Sequence, residues 1–157
     1  FDHARLISAM SAQPRGHFEH QLAVLDYDVP ETGVRGAPVR ITLYWQVPQD
    51  ATEGKGFLHW DLTLADVQGY TWQHATDIMP VDVEIWRPGD LIVQEIEVSL
   101  QEDTPPGLLF PTLSLRRDMM GLTYYNPQPR RVLSLPPISV TGHPVATAPP
   151  DVRQVGR

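Results

Sequence analysis

Proline and glycine recur at short intervals along this chain, sixteen of the one and eleven of the other in 157 residues. The segments between them alternate apolar and polar side chains. A period of two marks a strand that buries one face, and such dense punctuation leaves little room for helices. The clearest case is residues 39–47, with Val39, Ile41, Leu43, Trp45 and Val47 on one face and Arg40, Thr42, Tyr44 and Gln46 on the other. The first set is expected to face a core and the second to face solvent. Residues 58–64 repeat the pattern, with Leu58, Trp60, Leu62 and Leu64 inward and His59, Asp61 and Thr63 outward.

Further strands are expected at 22–27, 70–75, 92–100, 108–115 and 131–135, with a last one at 138–140, seven or eight in all. Turn signals separate them: Pro30-Glu31-Thr32-Gly33, Pro48-Gln49-Asp50, Pro88-Gly89-Asp90 and Pro105-Pro106-Gly107. This spacing predicts an all-β, antiparallel two-sheet sandwich, immunoglobulin-like or jelly-roll-like, and not a series of βαβ units. Pro111 cannot donate to a ladder, so the 108–115 strand is expected at an edge or with a bulge. Helical spacing occurs only at 4–13, through Leu6, Ile7 and Met10. The expected layout is therefore an N-terminal linker or short helix over 1–16, a sandwich over 17–140, and a proline-rich tail without periodicity over 141–157.

A chain of this length can bury a core without disulfides or metal. Its 12 Lys and Arg against 19 Asp and Glu give a net charge of -7, which argues against a nucleic-acid partner, since phosphate backbones demand a basic face. The absence of cysteine removes thiolate nucleophiles and cysteine-held metal but fits either redox compartment. Apolar runs fall far short of the roughly 20 residues of a spanning helix, so no membrane span is expected within the chain. Because it opens on Phe1 rather than Met, it is expected to be a processed product or a piece of something longer, with any membrane segment upstream.

Four segments carry a resemblance. Residues 18–28, Phe-Glu-His-Gln-Leu-Ala-Val-Leu-Asp-Tyr-Asp, and the Leu43-Tyr44-Trp45 strand are similar to the opening strands of one group of proteins. The Asp66-Val67-Gln68-Gly69 turn with Gln73-His74, and the Trp86-Arg87-Pro88-Gly89-Asp90 turn, resemble later motifs of the same group. These are the C-terminal extracytoplasmic β-sandwich domains of Chloroflexi membrane glycosyltransferase-like and related surface proteins. Asp26 stands where that group usually has glycine, and its late glycine and tyrosine motifs are only loosely kept at Pro106-Gly107-Leu108-Leu109 and Leu113-Ser114-Leu115-Arg116. The resemblance implies a fold and an extracytoplasmic or cell-surface setting. It implies no reaction.

The chemistry-bearing residues read mostly as surface. His59 with Asp61, and His74 with Asp77, bring histidine near carboxylate but lack the paired spacing of a zinc site, so no metal or other cofactor is expected. Glu95 with Glu97, and Asp82 with Glu84, share strand faces as any solvated sheet face does. No nucleophile elbow and no phosphate loop occurs, and the chain is expected not to be an enzyme. Asp66, Gln68 and Gly69 read as a turn that uses the glycine for positive φ rather than as a calcium loop. Trp45 and Trp60 belong to the core, and Trp86 is expected to pin its loop to the sandwich edge. Tyr124 and Tyr125 either rim a site or each cap the core. Tyr44, Tyr70, Trp72 and His74 are the candidate ligand-binding residues, because an aromatic row beside amides and acids stacks on sugar rings, although Trp72 can equally point inward. The expectation is an accessory module of a larger envelope-associated protein with a glycan or protein partner. The alternative is a structural module that assembles with protein partners in a surface layer or filament.

Overall fold

The computed structural model describes residues 2–11, 13–19, 21–49, 51, 57–80 and 86–142. Two sheets face each other across one core. The first runs β11–β10–β1–β2–β4–β7, and every pairing in it is antiparallel. Its strands are β1 (Gly16–Phe18), β2 (Leu22–Asp28), β4 (Pro38–Gln46), β7 (Leu91–Ser99), β10 (Tyr124–Asn126) and β11 (Gln128–Arg130). The second runs β3–β13–β8–β5–β6, built from β3 (Thr32–Val34), β5 (Leu58–Ala65), β6 (Thr71–Ile78), β8 (Gly107–Arg117) and β13 (Ile138–Thr141). Two short strands, β9 (Met120–Gly121) and β12 (Leu133–Ser134), also pair with β8.

The alternation places the core as expected. Val39, Ile41, Leu43 and Trp45 of β4 and Leu58, Trp60, Leu62 and Leu64 of β5 are buried in one apolar cluster with Leu109, Leu113 and Leu115 of β8. Trp45 is fully covered, and its indole N–H donates to the buried Gln94 Oε1 at 2.9 Å, so the one polar atom it carries inward is satisfied.

Four expectations are corrected. The segment 30–33 is not only a turn: Thr32–Val34 forms β3, which runs parallel to β13, so the second sheet is mixed. The tally of seven or eight misses short strands of two or three residues such as β1, β9, β10 and β11, too brief to show a period. The β8 strand lies inside its sheet, not at an edge. Pro111 is tolerated there because its carbonyl accepts from Leu135 N at 3.0 Å on the side where the neighbouring chain passes from β12 to β13 through Pro136 and Pro137. A residue's N–H and C=O point to the same side of an antiparallel strand, so the missing donor falls at a break in the ladder.

The fourth correction concerns Tyr44, placed by alternation on a wet face. It is 1% exposed. The helix α1 (His3–Ser11) lies on the outer face of the first sheet, and its Ala9 and Leu6 cover Tyr44 and Leu25 in a second small cluster. Leu25 faces that side by alternation with the buried Val24, and the β2–β4 register shift between Val24 and Asp26 brings Asp26, opposite Tyr44, to the same side. Asp26, beside the shift, binds Arg5 Nε at 2.8 Å and Arg15 Nη2 at 2.9 Å, tying the helix and the approach to β1 onto the sheet. No helix among the described residues is long and apolar enough to cross a membrane. Of the tail expected over 141–157, Thr141 ends β13, while 143–157, like the Asp82 and Glu84 pair, lie outside the described residues.

Candidate ligand-binding face

With α1 seated on the first sheet, the outer face of the second remains uncovered among the described residues. The buried residues of β5 and β8 alternate with outward ones, so register alone composes this face. Thr63 lies between His74 and Thr112, Asp61 between Thr76 and Ser114, and His59 between Ile78 and Arg116. At the next step Ala65 lies beside Phe110, and here the β5–β6 register shifts. The result is a grid of hydroxyls and charged groups ending in apolar and aromatic side chains.

Asp61 organises the charged part. Its carboxylate accepts from Arg116 Nε at 3.1 Å and stands 3.6 Å from His74 Nε2. The sequence pairing of His59 with Asp61 and of His74 with Asp77 is thus replaced by a cross-strand His74–Asp61–Arg116 set. Neighbours along one strand edge are two residues apart, whereas partners across the ladder lie opposite each other. No group of three or more His, Asp or Glu among the described residues could hold a metal ion. Glu97 on the first sheet pairs with Arg40 at 3.0 Å rather than acting as one of two facing acids.

The aromatic end is built on one turn. Asp66 accepts backbone N–H groups from Gln68 at 2.9 Å and Tyr70 at 3.0 Å through one carboxylate oxygen, and the Trp72 indole N–H at 3.0 Å through the other. Gly69 supplies the left-handed conformation that closes it, with φ at 88°. The Trp72 bond, with the Tyr70, Gln68 and Gly69 amides, holds the Asp66 carboxyl below the usual range. Trp72 is half-buried against the main core, and Tyr70 packs edge-on to it with centroids 4.8 Å apart. Tyr70 is 61% exposed. The row of four therefore separates: Tyr44 is interior, Trp72 supports from below, and Tyr70 and His74 face solvent on or beside the open sheet.

Sequence reasoning missed the partner of this turn. Val67, Gln68 and Asp66 face the Pro105-Pro106-Gly107 segment with Leu108 and Phe110 across a pocket of about 450 Å³. The outward alternation of Leu108 and Phe110 was a signal, but only β5–β8 pairing sets them beside Val67. Elsewhere, Tyr124 is buried against Phe18 and Tyr125 stacks on His17 at 5.4 Å. Trp86 packs on the core from its turn, as a pinning residue does.

No protein-family model matches the chain, and no curated protein matches it in sequence. Solved structures share the fold. The C-terminal domain of Wzt superposes with a TM-score of 0.55 at 12% identity, covering 82% of this chain and 80% of that one. The CARDB domain of a Pyrococcus furiosus protein gives 0.47 at 10%, covering 85% and 100%. A Niemann-Pick type C2 protein from the Japanese carpenter ant gives 0.44 at 9%, covering 83% and 96%. At 12% identity the likeness to the Wzt domain is one of architecture, and with the two sheets described above it establishes that this chain is a two-sheet β-sandwich domain.

Proposed function

We propose that this domain is a non-catalytic glycan-binding module of a larger, extracytoplasmic, envelope-associated protein, and that the open face of the second sheet is its binding surface. The observation that carries the reading is the asymmetry of the two outer faces. The first is covered by α1, whereas the second presents Tyr70 and Phe110 at the end of a grid of Thr63, Thr112, His74, Asp61 and Arg116. An exposed ring beside hydroxyls and bidentate donors suits a sugar, which offers an apolar ring face and a fringe of hydroxyls. The envelope setting follows from the resemblance at residues 18–28, 43–45, 66–74 and 86–90.

Binding is tested by titrating neutral and charged oligosaccharides into the purified domain, followed by calorimetry and by Trp72 fluorescence. Tyr70→Ala and His74→Ala each remove an exposed group, so affinity is expected to fall about tenfold with unchanged thermal stability. Affinity retained in both variants would remove this face from consideration. If no glycan binds, while a proline placed in β6 abolishes an association of the wild type, the module is one of strand-edge assembly instead.

A further inference from the structure

A second site lies at the opposite edge of the sandwich. Between β1 and β2 and the crossing from β11 to β12, a cleft of about 450 Å³ is walled by Arg15, Tyr27, Tyr124, Asn126, Arg130 and Leu133. The open face ends at β6, which Gln73 ties to Ser99 of β7, so the two regions occupy different edges.

In a chain of net charge -7, the ionised side chains of this wall are both cationic. Arg15 is preset, with Nη2 2.9 Å from Asp26 Oδ1 and its guanidinium 4.6 Å from the centre of the Tyr27 ring. The Arg130 side chain is exposed and forms no ion pair or hydrogen bond among the described residues. A guanidinium held without a partner beside a cleft is a ready receptor for an anion. The floor is closed by a buried side chain. The Tyr124 hydroxyl is buried, with Asn126 as a hydrogen-bonding neighbour and with Tyr27 and Arg15 nearby. It is seated over the Cα of Gly16, where any Cβ would come within 2.2 Å of it. Burial pushes the Tyr124 phenol up, so it stays an O–H donor at neutral pH.

We propose that this cleft binds an acidic sugar, its carboxylate on Arg130 and its ring hydroxyls on Asn126 and Ser134. One unpaired guanidinium matches a single negative charge rather than the double charge of a phosphate. Two neutral polar groups, Asn126 and Ser134, beside Val132, Leu133 and Tyr27 match the mixed surface of a hydroxylated ring. The site does not rest on the open face.

The test uses the full chain, isotope-labelled, with amide shifts followed as sodium glucuronate, sodium galacturonate, glucose or inorganic phosphate is added up to about 10 mM. A uronate is expected to shift amides around residues 15–17 and 124–134, and Arg130→Gln, at a solvent-exposed position, to weaken binding about tenfold with the fold intact. Tyr70→Ala is expected to bind uronate as the wild type does. No response to either uronate, an equal response to glucose or phosphate, or unchanged affinity in Arg130→Gln would overturn the assignment. Loss of uronate binding in Tyr70→Ala would overturn it too, since the ligand would then belong to the open face.

Discussion

Single polar atoms inside this sandwich are placed where a mistake is costly. Gln94 sits among Ile92, Ile96 and Val98 on the inner face of β7, an odd residue for that row until Trp45 is seen to need an acceptor. Gln94→Leu leaves the indole N–H unpaired at a buried site and is expected to cost about 1–3 kcal/mol in urea unfolding. Adding Trp45→Phe should cost less than the sum of the two changes, because the orphaned donor has gone. At the Asp66 turn the carboxylate is the acceptor, and its pKa is lowered chiefly by the Trp72 bond. A lowered carboxyl stabilises above its unfolded value and loses that contribution as pH falls through the folded one. Trp72 emission should therefore shift as pH drops below about 4. An Asp66→Asn variant showing the same shift would assign it to another group.

At the scale of elements, α1 decides which sheet face is free. The covering contact is small, Ala9 and Leu6 on Tyr44 and Leu25, and is fastened by Arg5 on Asp26. Ala9→Asp puts a charge under the helix, so helical signal should fall and Tyr44 become accessible to quenchers while the sheets persist, at a cost of about 1–3 kcal/mol. A cooperative loss of both sheets in that variant would show that the helix is integral to the fold. Burial alone would raise the Asp26 carboxyl. The Arg5 bond, the Tyr27 amide and the charges of Arg5 and Arg15 outweigh it, so the net direction is down. This fastening is thus present above about pH 4 and weakens as acid titrates Asp26 through its lowered pKa.

For the whole molecule the exposed edges matter. The first sheet ends at β7 and the second at β6, and the Gln73 side chain joins β6 to the Ser99 carbonyl of β7. Glu95 and Glu97 project outward on β7, both exposed, and charge along an edge discourages pairing with a second copy. Replacing both with valine should produce concentration-dependent dimers by light scattering. A variant that remains monomeric at every concentration would place the protection elsewhere, in the overall negative charge or in the twist of the edge.

The alternation of Val39 to Trp45 and of Leu58 to Leu64 determined by itself that this chain is a sandwich and which residues fill it. A period of two is a local consequence of strand geometry and needs no partner to be visible. The Gly69 turn was legible for the same reason, since positive φ is a property of one residue. Only tertiary structure decided that Tyr44 is interior, because what covers it comes from a helix some 35 positions away in the chain. It also decided that His74 meets Asp61, that Phe110 lies beside Ala65 near the Asp66 turn, and that Arg15, Tyr27, Tyr124 and Arg130 wall one cleft. Those are contacts between strands far apart in sequence, set by pairing register rather than by any local pattern, which is why the core could be read from the residues and these surfaces could not.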